Sequence, residues 1–172
     1  IGTILGCLSL GYWWGGRLAD RNPSHRVLAF IIFLAALTTA VIPLSKPLTL
    51  GTLQHYAGSL HLGSTLATIS LFAAPSVLLG MVSPYAVRLK LKNLEATGRT
   101  VGTLYAVSSI GSIFGTFLAG FVLIAFLGST TILFLLAGIL VLASLLISLR
   151  DRLLKAAGLL VLGLMGSALQ NH

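Results

Sequence analysis

Apolar residues gather into long runs along this chain, and short polar or charged stretches separate the runs. A transmembrane helix needs about 20 predominantly apolar residues to cross a hydrocarbon core of about 30 Å. The pattern therefore predicts an all-α polytopic membrane protein with five spans and a sixth apolar segment. The predicted helices of this single transmembrane domain, residues 1–169, cover 1–16, 27–43, 64–88, 100–126, 130–149 and 153–169.

The two ends of the chain and one internal stretch depart from this pattern. The first segment covers only roughly 24 Å, begins with Ile1 and follows no charged region, so we expect native residues upstream of it. The last segment is expected to be a span cut short. Residues 48–63 are mixed in character and are predicted to form an interfacial loop or helix.

Two local sequence features predict details of the internal segments. Pro75 and Pro84 lie inside the third segment, and proline in a spanning helix frees backbone carbonyls, so we predict a kink. Only Leu-Gly-Ser-Thr at 127–130 separates the fourth segment from the fifth. This short connection predicts an antiparallel helical hairpin.

Composition agrees with the apolar pattern, since 56% of the residues are hydrophobic, 8% are charged and the mean hydropathy is +1.02. These values exclude an ordinary soluble enzyme, a disordered chain and a disulfide scaffold. The net charge of +8 would suggest nucleic-acid binding if the cations shared a soluble face. They lie instead between the apolar runs, and no nucleic-acid partner is predicted.

The basic residues occupy alternate connections. Ten of the 11 Lys and Arg residues lie in or next to residues 17–26, 89–99 and 150–155, and only Lys46 lies on the other side. The positive-inside rule predicts that these three connections are cytoplasmic. We expect a prokaryotic cytoplasmic membrane.

The first connection contains the motif Gly16-Arg17-Leu18-Ala19-Asp20-Arg21. It resembles the G-x-L-A-D-R signature in the cytoplasmic loop between the second and third helices of the major facilitator superfamily. A glycine at a helix end allows close backbone approach, and a carboxylate flanked by arginines can pair with a neighbouring helix terminus. The resemblance implies a conformational role for Gly16, Arg17, Asp20, Arg21 and Arg26. The alternative is a positive-inside connection in which Asp20 merely neutralises arginines.

Three longer blocks carry a narrower resemblance. They are GYWWGGRLADRNP at 11–23, LLGMVSPYAVRLKL at 78–91 and GRTVGTLYAVSSIGSIFGTFLAGFVLI at 98–124. Together they resemble the membrane domain of fused spermidine-synthase-like proteins, in which a major-facilitator-like half precedes an aminopropyltransferase domain. The resemblance implies half of a bundle that serves as a membrane anchor or transporter-like module. Catalysis would belong to the soluble domain, so we expect no enzymatic activity and no cofactor in this chain.

Small residues form a face in two segments. In the first segment this face includes Gly11 and Gly15; in the fourth it consists of Ser108, Gly111, Ser112, Gly115, Thr116 and Gly120. Such faces let transmembrane helices approach closely. We predict that the two segments contact each other, with a homodimer or partner-subunit interface as the alternative.

Candidates for a substrate site are few. Proton relays and cation sites need an ionisable residue within a span, and the interiors of the predicted spans contain none, which argues against polyamine transport by this chain alone. After ionisable residues, kinked helices are the next best indication of a substrate site. They make Pro75, Ser83, Pro84 and Tyr85 candidate substrate-side residues, with a purely structural kink as the alternative.

The remaining polar residues suggest membrane contacts. Tyr12, Trp13 and Trp14 are interpreted as an interfacial anchor. Anionic lipid headgroups could bind, at roughly 1 kcal/mol per charge, to Arg88, Lys90, Lys92 and Arg99. A solvated topology signal explains these four equally well. His55 and His61 are about 240° apart around a helix, so no metal site is predicted.

Three functional hypotheses remain open. The first is a membrane domain of a spermidine-synthase-like fusion protein. The second is an accessory structural subunit of a larger membrane complex. The third is a small homodimeric transporter in which two halves make one bundle. All three predict lipid contact, and the last two predict other membrane subunits or self-association.

Overall fold

The computed structural model describes residues 2–21, 23–56, 60–91, 97–148, 158–163 and 166. Every element in these residues is helical, which confirms the predicted all-α class for this part of the chain. The helices are α1 (Gly2–Arg21), α2 (His25–Tyr56), α3 (Leu60–Lys90), α4 (Thr97–Phe117), α5 (Ile124–Phe126) and α6 (Ser129–Ile147). A π-helical segment, Leu118–Leu123, joins α4 to α5.

Four helices within these ranges are long and apolar enough to cross a membrane. The spanning stretches are His25–Ser45, Gly63–Lys90, Thr97–Phe126 and Ser129–Ile147. They agree with an integral membrane protein. Helix α1 is not among the four, because Arg17 and the stretch of glycine, tyrosine and tryptophan before it lower its hydropathy. Of the predicted segment 153–169, only 158–163 and 166 are described; connection 150–155 lies outside the described residues.

Several helices extend beyond their predicted bounds, and α1 and α2 do so by the most residues at their C-terminal ends. Helix α1 continues to Arg21, because Arg17, Leu18 and Ala19 are good helix formers. It ends two residues before Pro23, which disfavours helical geometry in the residue before it. Helix α2 continues to Tyr56, so its backbone includes part of the stretch 48–63.

The helix packing follows from small residues and a few long apolar ones. Helix α1 packs along α3, and α2 packs along both α3 and α6. One buried cluster lies where α1, α2 and α3 meet and consists of Ala19, Leu28, Ile31, Ile32 and Tyr85. A second joins α2 to α6 through Ala40, Phe134 and Ala137. The buried Ser144 hydroxyl donates a 2.7 Å hydrogen bond to the Ala29 carbonyl and so fixes the α2–α6 contact.

The predicted hairpin of the fourth and fifth segments is wrong. Helix α6 packs on α2, and over their described residues α4 and α6 make no extensive contact. The physical reason lies in the connection, where Leu127 and Gly128 are both extended. Two extended residues carry the chain away from α4 instead of folding it back.

Helix α4 lies apart from this packed group. None of its residues is buried, and its contact with α3 is slight. At the π-helical segment the Ile124 N–H bonds to the Ala119 carbonyl, five residues back. Phe117 and Phe121 stack across this change of helix type, with ring centroids 5.8 Å apart.

Candidate functional site

Four helix ends come together at one end of the molecule, which we call the basic end. The end of α1 meets the end of α3, the start of α2 follows at His25, and the start of α4 lies beside α3. The basic end carries the exposed cations Arg17, Arg21, Arg26, Arg88, Lys90 and Arg99. Of the four cations predicted to bind lipid headgroups, Lys92 lies outside the described residues.

The G-x-L-A-D-R motif forms the last turns of α1 and not a loop. Ala19 is 1% exposed and packs into the cluster around Tyr85, whereas Asp20 and Arg21 stay exposed. A Cβ added at Gly16 would meet no atom within 4 Å, so Gly16 is not where α1 approaches a neighbouring helix closely. That approach occurs at Gly15.

Asp20 forms an ion pair with α3. The Arg88 Nε lies 3.1 Å from the Asp20 Oδ1, and the two side chains are 49% and 71% exposed. A carboxylate in the last turn of a helix opposes the helix dipole, and Arg88 compensates for it. Exposed pairs contribute little to stability, about 0–1 kcal/mol. The pair therefore connects the ends of α1 and α3 with little effect on the stability of the fold.

Tyr85 connects α3 to the start of α2. Its side chain is fully buried, and its hydroxyl accepts a 3.1 Å hydrogen bond from the backbone N–H of Ser24. This N–H lies in the short connection between α1 and α2. The Tyr85 hydroxyl thus fixes the position of that connection, a contact that the sequence pattern did not predict.

The four candidate substrate-side residues do not gather at one site. Pro75 lies in a cleft of about 220 Å³ between α2 and α3, and Ser83 lines a smaller one of about 120 Å³ with Leu104 and Tyr105 of α4. Tyr85, beside Pro84, is turned toward the start of α2. Helix α3 runs through both prolines and presents these side chains to different neighbours.

The small-residue face of α1 packs on α3, not on α4 as predicted. A Cβ added at Gly11 would collide with the Val77 carbonyl, and one at Gly15 would lie 2.6 Å from the Met81 Cα. Gly80 of α3 faces them, because a Cβ there would lie 2.6 Å from the Leu8 carbonyl oxygen. The two backbones meet here directly, and the matching order of the contacts makes α1 and α3 parallel.

The small-residue face of α4 has no such partner in the described part of the chain. Added Cβ atoms at Gly111, Gly115 and Gly120 would meet nothing within 4 Å. Ser108 and Ser112 are exposed, and the Thr116 hydroxyl donates a 2.8 Å hydrogen bond to the Ser112 carbonyl of its own helix. This face is open.

Arg17 has an aromatic partner. Its guanidinium carbon lies 3.7 Å from the centroid of the Trp13 ring, one helical turn earlier. The i, i+4 spacing of the two residues in the sequence is the signal that predicts such contacts. Among the described residues, no group of three His, Cys, Asp or Glu side chains is arranged to hold a metal ion.

No protein-family model, curated protein or solved structure matches this chain.

Proposed function

We propose that this chain is the integral membrane domain of a spermidine-synthase-like fusion protein. It has five or six spans that form half of a major-facilitator-like bundle, and its basic end is cytoplasmic. It acts as a membrane anchor or transporter-like module, and catalysis is assigned to residues outside it.

The Asp20–Arg88 ion pair carries this proposal. Asp20 belongs to block 11–23 and Arg88 to block 78–91, so the pair joins two of the three blocks on which the resemblance rests. The same two blocks also meet at Gly15 and Met81 and at Ser24, just after the first block, and Tyr85. Residues that are distant in sequence and belong to the blocks of one resemblance thus make contact, as expected of a single conformational unit.

The ion pair gives the proposed module a conformational control. Its exposed charges can separate at little free-energy cost, which is what a contact broken and remade during helix rocking requires. The glycine contact between α1 and α3 keeps the two helices together as one body. Movement would then occur between this body and its neighbours.

The test is transport in reconstituted vesicles, with a panel of small organic solutes that includes spermidine. Asp20→Asn is expected to lower the uptake rate while the amount of protein in the membrane stays unchanged. The charge-reversed double variant, Asp20→Arg with Arg88→Asp, is expected to restore part of the rate. An Asp20→Asn variant that transports at the original rate would show that the motif only sets topology.

The open face of α4 favours a second candidate, an accessory subunit of a larger membrane complex. A span with no buried residue is available to another polypeptide. Extraction in mild detergent followed by native mass spectrometry should then recover the chain with other polypeptides in a fixed ratio. A species of twice the chain mass would favour the homodimeric transporter instead, and recovery only as a monomer would contradict both assemblies.

A further inference from the structure

One stripe on α1 faces away from the rest of the molecule. Trp13, Arg17 and Arg21 follow one another at intervals of four residues, so they share one helix face. Each lies two positions beyond a residue of the buried series Gly11, Gly15 and Ala19, which turns it by about 200° around the helix. The buried series contacts α3, so the stripe, which we call the α1 stripe, points outward.

The side chains of the α1 stripe are exposed, and two of them contact each other. The Trp13 side chain is 52% exposed, and Arg17 and Arg21 are exposed as well. Stacking on the Trp13 ring holds the Arg17 guanidinium in place. A stacked guanidinium keeps its N–H donors at the edge of its plane, where they can bind phosphate oxygens.

The two arginines of the α1 stripe have no acidic partner within the described part of the chain. Asp20 is the one acidic side chain described there; it lies about 60° from Arg17 around the helix, and its carboxylate pairs with Arg88 of α3. Within the same residues neither Arg17 nor Arg21 forms an ion pair. Two cations and an indole therefore stand together on an outward face at the depth where the spanning part of α3 ends.

We propose that the α1 stripe binds the phosphate of an anionic phospholipid, with Arg17 and Arg21 as ligands and Trp13 packed against the glycerol and upper acyl chains. Charge complementarity selects an anionic headgroup over a zwitterionic one, and the amphipathic indole favours the interfacial layer over water. The inference rests on the basic end lying at a membrane surface, as in the proposed function, but needs neither transport nor assembly.

The two tryptophans of this chain allow a direct test. They are Trp13 and Trp14, so Trp14→Phe leaves Trp13 as the single fluorescent indole. This variant is reconstituted in phosphatidylcholine bilayers that contain either brominated phosphatidylglycerol or brominated phosphatidylcholine, which quench a neighbouring indole. We expect phosphatidylglycerol to quench Trp13 beyond its mole fraction. Arg17→Gln and Arg21→Gln should each lower this lipid preference about 5-fold, the factor for about 1 kcal/mol per charge.

Two matched variants separate the site from net charge. Arg26→Gln removes one exposed charge at the basic end but on α2, and it should leave the preference unchanged. Arg17→Lys keeps the charge and should retain most of the preference. Equal quenching by both lipids, an equal loss in Arg26→Gln, or reversal by millimolar inorganic phosphate would each overturn the proposal. Absence of quenching by either lipid would in addition contradict the membrane placement of the basic end.

Discussion

Helices α1 and α4 present similar small-residue faces but have opposite surroundings. The α1 face lies directly against the backbone of α3, whereas a Cβ added at Gly111 or Gly115 of α4, or at Gly120 of the π-helical segment that follows α4, would meet nothing within 4 Å. The difference lies in the partner, because Gly80 of α3 matches Gly11 and Gly15 with a surface of the same kind. A small-residue face thus shows that close approach is allowed, and the partner helix decides whether it occurs.

The largest expected effect comes from placing the same large side chain on each of these two faces. Gly15→Leu would force a side chain into the Met81 backbone and should lower the free energy of unfolding by about 3 kcal/mol. The same substitution at Gly115 should change it by less than about 0.5 kcal/mol. Denaturant unfolding in detergent micelles measures both. Equal destabilisation would mean that α4 also packs within the monomer.

A smaller effect is expected from removing the buried hydroxyl of Tyr85. Tyr85→Phe takes the acceptor from the partly buried Ser24 N–H, and leaving this donor unsatisfied should cost about 1 kcal/mol. Tyr105→Phe on α4 is the matched control, since that side chain is 60% exposed and should have no measurable effect. If both variants unfold alike, the Tyr85 contact does not contribute to stability.

The hydroxyl groups of the two regions offer a finer comparison. Ser144→Ala removes the buried hydrogen bond between α6 and α2 and should cost about 1 kcal/mol. Thr116→Ser keeps the hydroxyl that bonds within α4, and Thr116→Ala removes it from an exposed site, so neither should change stability by more than about 0.3 kcal/mol. The same unfolding assay applies, and an unaffected Ser144→Ala variant would contradict the α2–α6 contact.

Among the contacts between helices, the smallest expected effect belongs to the exposed ion pair. Asp20→Asn should change the free energy of unfolding by less than about 0.5 kcal/mol, since both side chains are well exposed. A double-mutant cycle with Arg88→Gln isolates the coupling between the two residues. A coupling well above 1 kcal/mol would show that the pair stabilises the fold and is not readily separable.

Only part of the candidate site could be predicted from the sequence. The motif with Asp20 and its arginines was visible as a charged stretch beside an apolar run, but its partner Arg88 lies 68 positions further along the chain. Tyr85 was a candidate because it follows Pro84, yet its contact with the Ser24 N–H depends on how α2 and α3 cross. The stacking of Arg17 on Trp13 could have been predicted, because it is local to one helix.

The sequence by itself determined that this protein is helical and built from long apolar segments, because hydropathy and run length act locally and need no partner. It also predicted that the cations fall in alternate connections. Only the tertiary structure decided that α1 packs on α3, that α6 packs on α2 and that, in the described part of the chain, α4 has no buried residue. Similar small-residue faces are compatible with several pairings, and the choice among them depends on backbone approach, extended connections and a few buried hydroxyls that act across the whole chain.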